Sequence, residues 1–239
     1  MPGDHLLPSR VLLKISGEAL AGNIGHGFDN SILEYVSGEI RSVRDAGIQV
    51  AVVVGGGNFF RGITGGSIAR HDADFMGMLA TCMNAVALSS FIRKNDMPSV
   101  PMISFDNGNH VEVFNANRAD ELLNAGNVLV FGGGTSNPYF TTDTAAVLRA
   151  LEIRADLIIK ATKVDGVFDK DPEKFSDAQR IPLISYSEVL KRNLKVMDGS
   201  AIAMARDNCL PLKIVNLNLP GSMKTALLSG DSGSSVVPD

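Results

Sequence analysis

The sequence predicts an α/β fold built on a mostly parallel sheet, and three observations carry that prediction. Short apolar runs rich in β-branched residues alternate with segments whose apolar residues recur at helical spacing, the order expected of strand, helix, strand units. Two of these runs lead straight into triple-glycine turns, AVVVGGGN at residues 51–58 and VLVFGGGT at residues 128–135. Finally, 45% of the 239 residues are apolar, enough for a core that needs no disulfide or structural metal. The length equals roughly one and a half domains of ~150 residues. No linker interrupts the alternation, so one domain over residues 1–239 is expected, with 1–10 and 229–239 flexible.

The first strand is residues 11–15. A helix follows, capped by Asp29 or Asn30, carrying Ile32, Leu33, Val36, Ile40 and Val43 at helical spacing and closed by Gly47. Residues 48–54 form the next strand. The helix over residues 74–94 carries Phe75, Met76, Met78, Leu79, Met83, Val86, Leu88, Phe91 and Ile92, which cover more than one face. Such a helix is buried on two sides, one against the sheet and the other against a partner subunit or, more plainly, inside a large monomer. Helices near 119–125, 143–152 and 199–208 alternate with strands at 128–131, 157–159 and 212–215. The Gly- and Ser-rich tail, 229–239, reads as frayed or as a terminal edge strand.

With 22 basic and 26 acidic residues the net charge is −4, which argues against general binding to nucleic-acid backbones. Pro8, Ser9 and Arg10 interrupt the N-terminal apolar stretch, unlike a signal peptide, and no run was expected to reach the ~20 apolar residues of a membrane span. Cys82 and Cys209 lie far apart, which fits a reducing, cytoplasmic setting. GxxxxGK[ST], GxGxxG, HExxH and GxSxG are all absent, and four scattered histidines supply no metal-ligand spacing.

Glycine lets backbone N–H groups converge on an anion, and in a parallel sheet both turns fall at the carboxyl edge where ligands bind. Two such cradles point to two phosphate-bearing ligands; the plainer reading is a pair of tight turns. Lys14 ends the first strand in VLLKISGEAL, and Lys160, with Lys163 close behind, repeats the arrangement in LIIKATKVDG. Arg61 stands four residues past Gly57, placed to clamp phosphate, though a loop arginine is often merely a surface residue. Cations gathered at one sheet edge suit phosphoryl transfer, where catalysis comes from positioning and from neutralising charge on phosphate oxygens. Asp143, at the head of a helix, is either the ion-pair partner that orients the lysines or an ordinary cap.

Taken in order, KISGEAL, VVGGGNFFRG, DFMGMLAT, TSNPYFTTD, KATKVDGVFDKDP, YSEVL, LKVMDGSA and ARDN resemble the bacterial uridylate kinases of the amino-acid-kinase superfamily. The resemblance implies a three-layer αβα sandwich and transfer of a phosphoryl group from ATP to UMP, giving ADP and UDP for pyrimidine nucleotide synthesis. By motif, Lys14, Ile15, Ser16, Gly17 and Gly57 would lie against ATP phosphates and Arg61 at the junction. Thr162, Phe168 and Asp171 would hold adenine and its ribose; without the family, Phe168 is core and Asp171 a turn residue. Gly56, Asp74, Thr135, Ser136, Asn137, Pro138, Tyr139, Phe140, Thr141 and Thr142 would take UMP, Asp74 accepting from the ribose hydroxyls or simply capping its helix. The catalytic set implied is Lys14, Arg61, Asp143 and Lys160. Asp198 is read as a helix cap.

The resemblance further implies Mg²⁺ held with ATP, its protein ligands unknown, a homo-oligomer of six subunits, and inhibition by UTP. The loop Gly22, Asn23, Ile24, Gly25, His26 and Gly27 matches one associated with GTP. Ser89 and Arg93 depart from the arginine and histidine of GTP-responsive members, which speaks against GTP activation. Two rivals are a superfamily kinase acting on a carboxylate or carbamate and a non-catalytic nucleotide- or oxyanion-binding protein. TSNPYFTTD with Asp74 favours the nucleotide branch over the first; Lys14, Asp143 and Lys160 together argue against the second.

Overall fold

The computed structural model describes residues 7–60, 68–108, 110–228 and 232–239. Along the chain the elements are β1 (Arg10–Ile15), α1 (Gly17–Ala21), a 3-10 turn (Gly22–Ile24), α2 (Asn30–Arg44), β2 (Gln49–Val54), α3 (Arg70–Lys94), β3 (Ser99–Ile103), β4 (Glu112–Val113), α4 (Ala116–Asn124), β5 (Val128–Gly132), α5 (Thr142–Glu152) and β6 (Leu157–Thr162). They continue with β7 (Val167–Phe168), β8 (Arg180–Ile181), β9 (Leu183–Ser185), α6 (Tyr186–Lys191), α7 (Gly199–Asp207), β10 (Leu212–Asn216), α8 (Ser222–Leu228) and β11 (Ser234–Val237).

Nine strands form one sheet in the order β4-β3-β5-β2-β1-β6-β10-β11-β9, and β7 and β8 make a separate hairpin. Every pairing in the large sheet is parallel except β10 with β11. Parallel strands covered on both faces read as continuous apolar runs, and β1 is buried at all six positions. Alternate residues divide the core in two. Val11, Leu13 and Ile15 face α2, α3 and α8, whereas Leu12, Ala51, Val53 and Ile158 face α4, α5 and α7. The result is the αβα sandwich that the sequence predicts.

Two expectations need correction. Of the tail expected to fray or to form an edge strand, residues 234–237 do neither: β11 runs between β10 and β9, with Val236 wholly buried, and residues 229–231 lie outside the described set. Likewise Arg10, assigned to a flexible N-terminus, opens β1. It is 7% exposed, with its guanidinium on Gln49, Asp120 and the Ile153 carbonyl. Both misreadings have one cause, since polar composition says nothing about a backbone ladder that a neighbouring strand can satisfy.

Helix α3 does have the length and composition of a membrane span, with a mean hydropathy of 1.6 over an 18-residue stretch of which 44% is buried. It lies along β3 and β5 and sends Met78, Ala80, Ala85, Leu88 and Ile92 into the core. Its other side leaves Phe75, Met76, Leu79, Met83 and Val86 exposed.

Candidate active site

The carboxyl ends of β5, β2, β1 and β6, four neighbours in the sheet, bring the sequence motifs together. Lys14 and Lys160 are register partners on β1 and β6, so their side chains leave the same face of the sheet. Asp143, in the first turn of α5, stands between them: Lys14 Nζ lies 2.7 Å from its Oδ1 and Lys160 Nζ 2.8 Å from its Oδ2. Lys160 also donates to the Val196 carbonyl at 2.6 Å. Asp143 therefore orients the lysines, and the capping role falls to Thr141, whose hydroxyl accepts the Asp143 N–H.

Burial acts to raise the Asp143 carboxyl, but the two ammonium groups outweigh it and leave the group below its ordinary value. For Lys160, burial prevails over the attraction of Asp143, with Lys14 adding to it, and the ammonium sits below its usual value. Two cations thus share one bridging carboxylate in a nearly water-free setting, with Asp198 as a further acidic neighbour of Lys160. Such a centre favours an incoming polyanion.

The first glycine turn meets the head of α1. Gly17 has no room for a side chain, since a Cβ there would fall 2.5 Å from Asn58 Oδ1 and 2.7 Å from the Gly55 carbonyl oxygen. Ser16 caps α1 through the Ala19 N–H. Arg61, expected at the junction, lies outside the described residues.

The second glycine turn owes part of its composition to packing. A Cβ on Gly132 would sit 2.9 Å from the Cys82 Cα of α3, and Gly133 adopts φ +82°. Its N–H is already taken by the Thr81 hydroxyl at 2.7 Å, so this turn is not an open cradle along its whole length. Ser104 braces the same turn, bonded to the Gly132 and Gly134 carbonyls and receiving a bond from Arg149. Arg149 in turn lies 3.9 Å over the Phe114 ring and pairs with Glu152. Sequence reading missed Thr81, Ser104 and Arg149, because a polar residue inside a helix, or just past the end of β3, was the only local signal.

The segment expected to take UMP curls from Thr135 to Thr142 with Ser136 and Tyr139 at positive φ, a conformation that non-glycine residues seldom adopt. Thr135 Oγ1 accepts the Asn137 N–H at 3.2 Å, and the Asn137 side chain donates to the Thr135 carbonyl. Tyr139 and Phe140 are exposed beside Pro138. Asp74 reaches this segment across 65 residues of chain, accepting the Tyr139 N–H at 2.8 Å while Arg70 donates to both its oxygens. Asp198 caps α7 as expected and also accepts bonds from the hydroxyls of Thr141 and Thr144, tying α7 to the same segment.

On the other side of Lys160 lies a cavity of about 580 Å³ whose walls include Lys160, Thr162, Phe168, Asp171, Leu194 and Val196. Its size suits a nucleotide-sized ligand. Thr162, Phe168 and Asp171, which the resemblance groups together, thus share one wall.

The loop from Gly22 to Gly27 is anchored by Gly27, whose N–H donates to the Asn58 carbonyl, while Asn23, Ile24, Gly25 and His26 lie toward solvent. Ser89 is buried, bonded to Ser99 and to Arg93. No group of three or more His, Cys, Asp or Glu side chains among the described residues is arranged to hold a metal ion. The central carboxylate, Asp143, has both oxygens on lysines.

Comparison with known proteins agrees with this geometry. Residues 9–216 match the model of the Amino acid kinase family. A uridylate kinase of a Sulfurovum species is 47% identical over 228 residues, covering 94% of this chain and 97% of that protein. That of Thermotoga maritima is 46% identical over 230 residues, covering 96% and 100%. Among solved structures, a UMP kinase from Bacillus anthracis superposes with a TM-score of 0.94 at 36% identity, covering 98% of both chains. One from Ureaplasma parvum gives 0.88 at 30% identity, covering 97% of this chain and all of that one. The chain belongs to the amino acid kinase family, within its uridylate kinase branch.

Proposed function

We propose that this chain transfers the γ-phosphoryl group of ATP to UMP, producing ADP and UDP as a step in pyrimidine nucleotide synthesis. The observation that carries the reading is the Lys14–Asp143–Lys160 arrangement, at the same sheet edge as the two glycine turns, in a chain whose relatives are named uridylate kinases. The adenosine end occupies the cavity bounded by Thr162, Phe168 and Asp171, and its phosphates run toward Lys14, Ser16, Gly17 and Gly57. UMP lies along Thr135 to Thr142 with its ribose at Asp74, and its phosphate meets Gly56 and Arg61.

Chemistry then needs little from a base. The attacking UMP phosphate oxygen is already anionic, and Asp143, held ionised below its ordinary value by two lysines, is a poor proton acceptor. Charge spread over the moving phosphoryl group and the leaving ADP oxygen is met by the ammonium groups of Lys14 and Lys160. Mg²⁺ accompanies ATP, held largely by phosphates and water.

UTP carries the same uracil and competes at the UMP segment. GTP activation is not part of the proposal, because Ser89 and Arg93 are bonded to each other and to Ser99. The exposed apolar side of α3, with Phe75, Leu79, Met83 and Val86, is the contact through which copies associate, toward a hexamer. The enzyme works as one domain in the cytoplasm.

The test is a coupled assay of ADP release with UMP, acetylglutamate and carbamate as acceptors. UMP-dependent turnover alone is expected. Folded protein that releases ADP no faster with UMP than with buffer overturns the reading.

A further inference from the structure

Asn58 and Asn84 form a buried pair that none of the chemistry above uses. Asn58 follows the first glycine turn and is 3% exposed; Asn84, in the middle of α3, is wholly buried. Their amides bond reciprocally, Asn84 Nδ2 to Asn58 Oδ1 at 2.7 Å and Asn58 Nδ2 to Asn84 Oδ1 at 2.9 Å. Each nitrogen has a second proton, and both leave the pair. That of Asn84 goes to the Gly55 carbonyl at 2.6 Å and that of Asn58 to the Gly27 carbonyl at 2.7 Å. All four amide protons are therefore spent, two of them on backbone groups that neither helix nor sheet requires.

The pair stands where four parts of the molecule meet. α3 supplies Asn84. The first glycine turn supplies Gly55 and Asn58. The Gly22–Gly27 loop closes on Asn58 from the other side, its Gly27 N–H on the Asn58 carbonyl at 3.0 Å, and the neighbouring Phe28 and Phe59 rings meet edge to face at 4.9 Å. The head of α1 presses against the same amide, as the space at Gly17 shows.

A polar pair in this place needs a reason, because Ala80, Ala85 and Leu88 on the same helix are apolar core and an apolar pair would fill the volume without desolvating two amides. What an amide offers is direction. The Gly55 carbonyl and the Gly56 N–H belong to one planar peptide unit and point opposite ways. Holding the carbonyl on Asn84 therefore aims the Gly56 N–H, and with it the entry of the turn.

We infer that Asn84 and Asn58 are positioning residues that set the first glycine turn against the bound phosphates and couple the Gly22–Gly27 loop to it. The inference rests on the reading of that turn as phosphate-binding. It concerns the first turn, where Gly57 faces ATP and Gly56 the UMP phosphate; the rest of the UMP segment is braced separately, by Thr81, Ser104 and Arg149 around the second turn.

The test compares wild type with Asn84→Leu, Asn58→Leu and the double Leu variant, measuring thermal midpoint, ATP affinity by calorimetry, and kcat and KM for ATP and UMP. Each single variant orphans a buried amide and lowers the midpoint; the double variant removes both and recovers most of the loss. ATP affinity and kcat are nevertheless expected to stay down by roughly tenfold or more in the double variant, and KM for UMP to rise, because the Gly56 N–H that Asn84 aims meets the UMP phosphate. A double variant with wild-type stability, ATP affinity and kcat overturns the inference, since the pair would then be filler. Should the double variant not fold, Asn84→Ser, too short to reach the Gly55 carbonyl, decides the matter by the same ATP measurement. A wild type that binds ATP but ignores UMP sinks the functional reading alone, and the affinity comparison still decides the role of the pair.

Discussion

Lys14 and Lys160 stand opposite each other on neighbouring parallel strands, and both ammonium groups close on the single carboxylate of Asp143. Two ammonium groups held at the sheet edge by one bridging carboxylate are placed to meet an anionic ligand. Replacing Lys14 by Ala is expected to lower kcat by more than roughly tenfold, a barrier increase above ~1.4 kcal/mol, while ATP still binds in the adenosine cavity. Steady-state kinetics beside ATP calorimetry checks this. Unchanged turnover would favour a protein that binds nucleotide without catalysis.

The same centre makes stability depend on pH on the acid side. The Asp143 carboxyl lies below its unfolded value of 3.8, so the unfolded chain takes up its proton first as pH falls. Its contribution is complete above that value and is lost as pH drops through it toward the folded value. Thermal midpoints measured from pH 6 down to pH 3 should fall with a component that Asp143→Asn lacks. At neutral pH that variant, which leaves two buried ammonium groups without a counter-charge, is expected to lose roughly 3–5 kcal/mol.

Gly132 touches α3 so closely that a methyl group has nowhere to go, with the Cys82 Cα 2.9 Å away. Gly132→Ala is therefore expected to cost about 1–3 kcal/mol, by analogy with overpacked cores, and to raise KM for UMP by displacing the turn. Urea denaturation and kinetics read the two effects separately. A neutral outcome in both would show that α3 can step back.

The two thiols are expected to differ in reactivity. Burial pushes the Cys82 thiol up to about 11, and its Sγ donates to the Met78 carbonyl at 3.3 Å, whereas Cys209 is exposed. Titration with an aromatic disulfide at pH 8 should give one fast and one slow equivalent, and Cys209→Ser should remove the fast phase. Loss of the slow phase instead would reverse the assignment.

Asp74 is half-buried and shared between Arg70 and the Tyr139 N–H. If it takes the ribose hydroxyls, UMP should be preferred to dUMP, and Asp74→Ala should erase most of that preference, because the discrimination comes from a polar group left unpaired. Ratios of kcat/KM for the two acceptors measure it; an undiminished preference in the variant would place ribose recognition elsewhere.

Much of the fold was readable from local pattern. The strands β1, β2, β5, β6 and β10 announce themselves as apolar runs bounded by turn formers, and α2 by its apolar stripe between Asp29 and Gly47. β3, with Pro101 inside it, and β9 were not legible, and β11 was legible only as an alternative edge strand, not as an interior one. They are short or polar, and only a neighbouring strand makes them strands. In the site, Lys14, Lys160 and Asp143 were found as separate residues at element ends. Thr81, Asn84, Ser104 and Arg149 were not, since their partners are brought to them by packing.

By itself the sequence determined the alternation of strands and helices, the two glycine turns at strand ends, and a supply of lysines beside them, because these depend on residues adjacent along the chain. The tertiary structure alone decided that β11 enters the sheet between β10 and β9, that one carboxylate serves two lysines, and that a buried amide pair holds the first turn. Those relationships join residues from 17 to 129 positions apart, Lys160 with Asp143 and Lys14 with Asp143 being the two extremes. Periodicity carries no record of such distances; they are settled by which apolar faces bury one another and which polar groups must then find partners away from water.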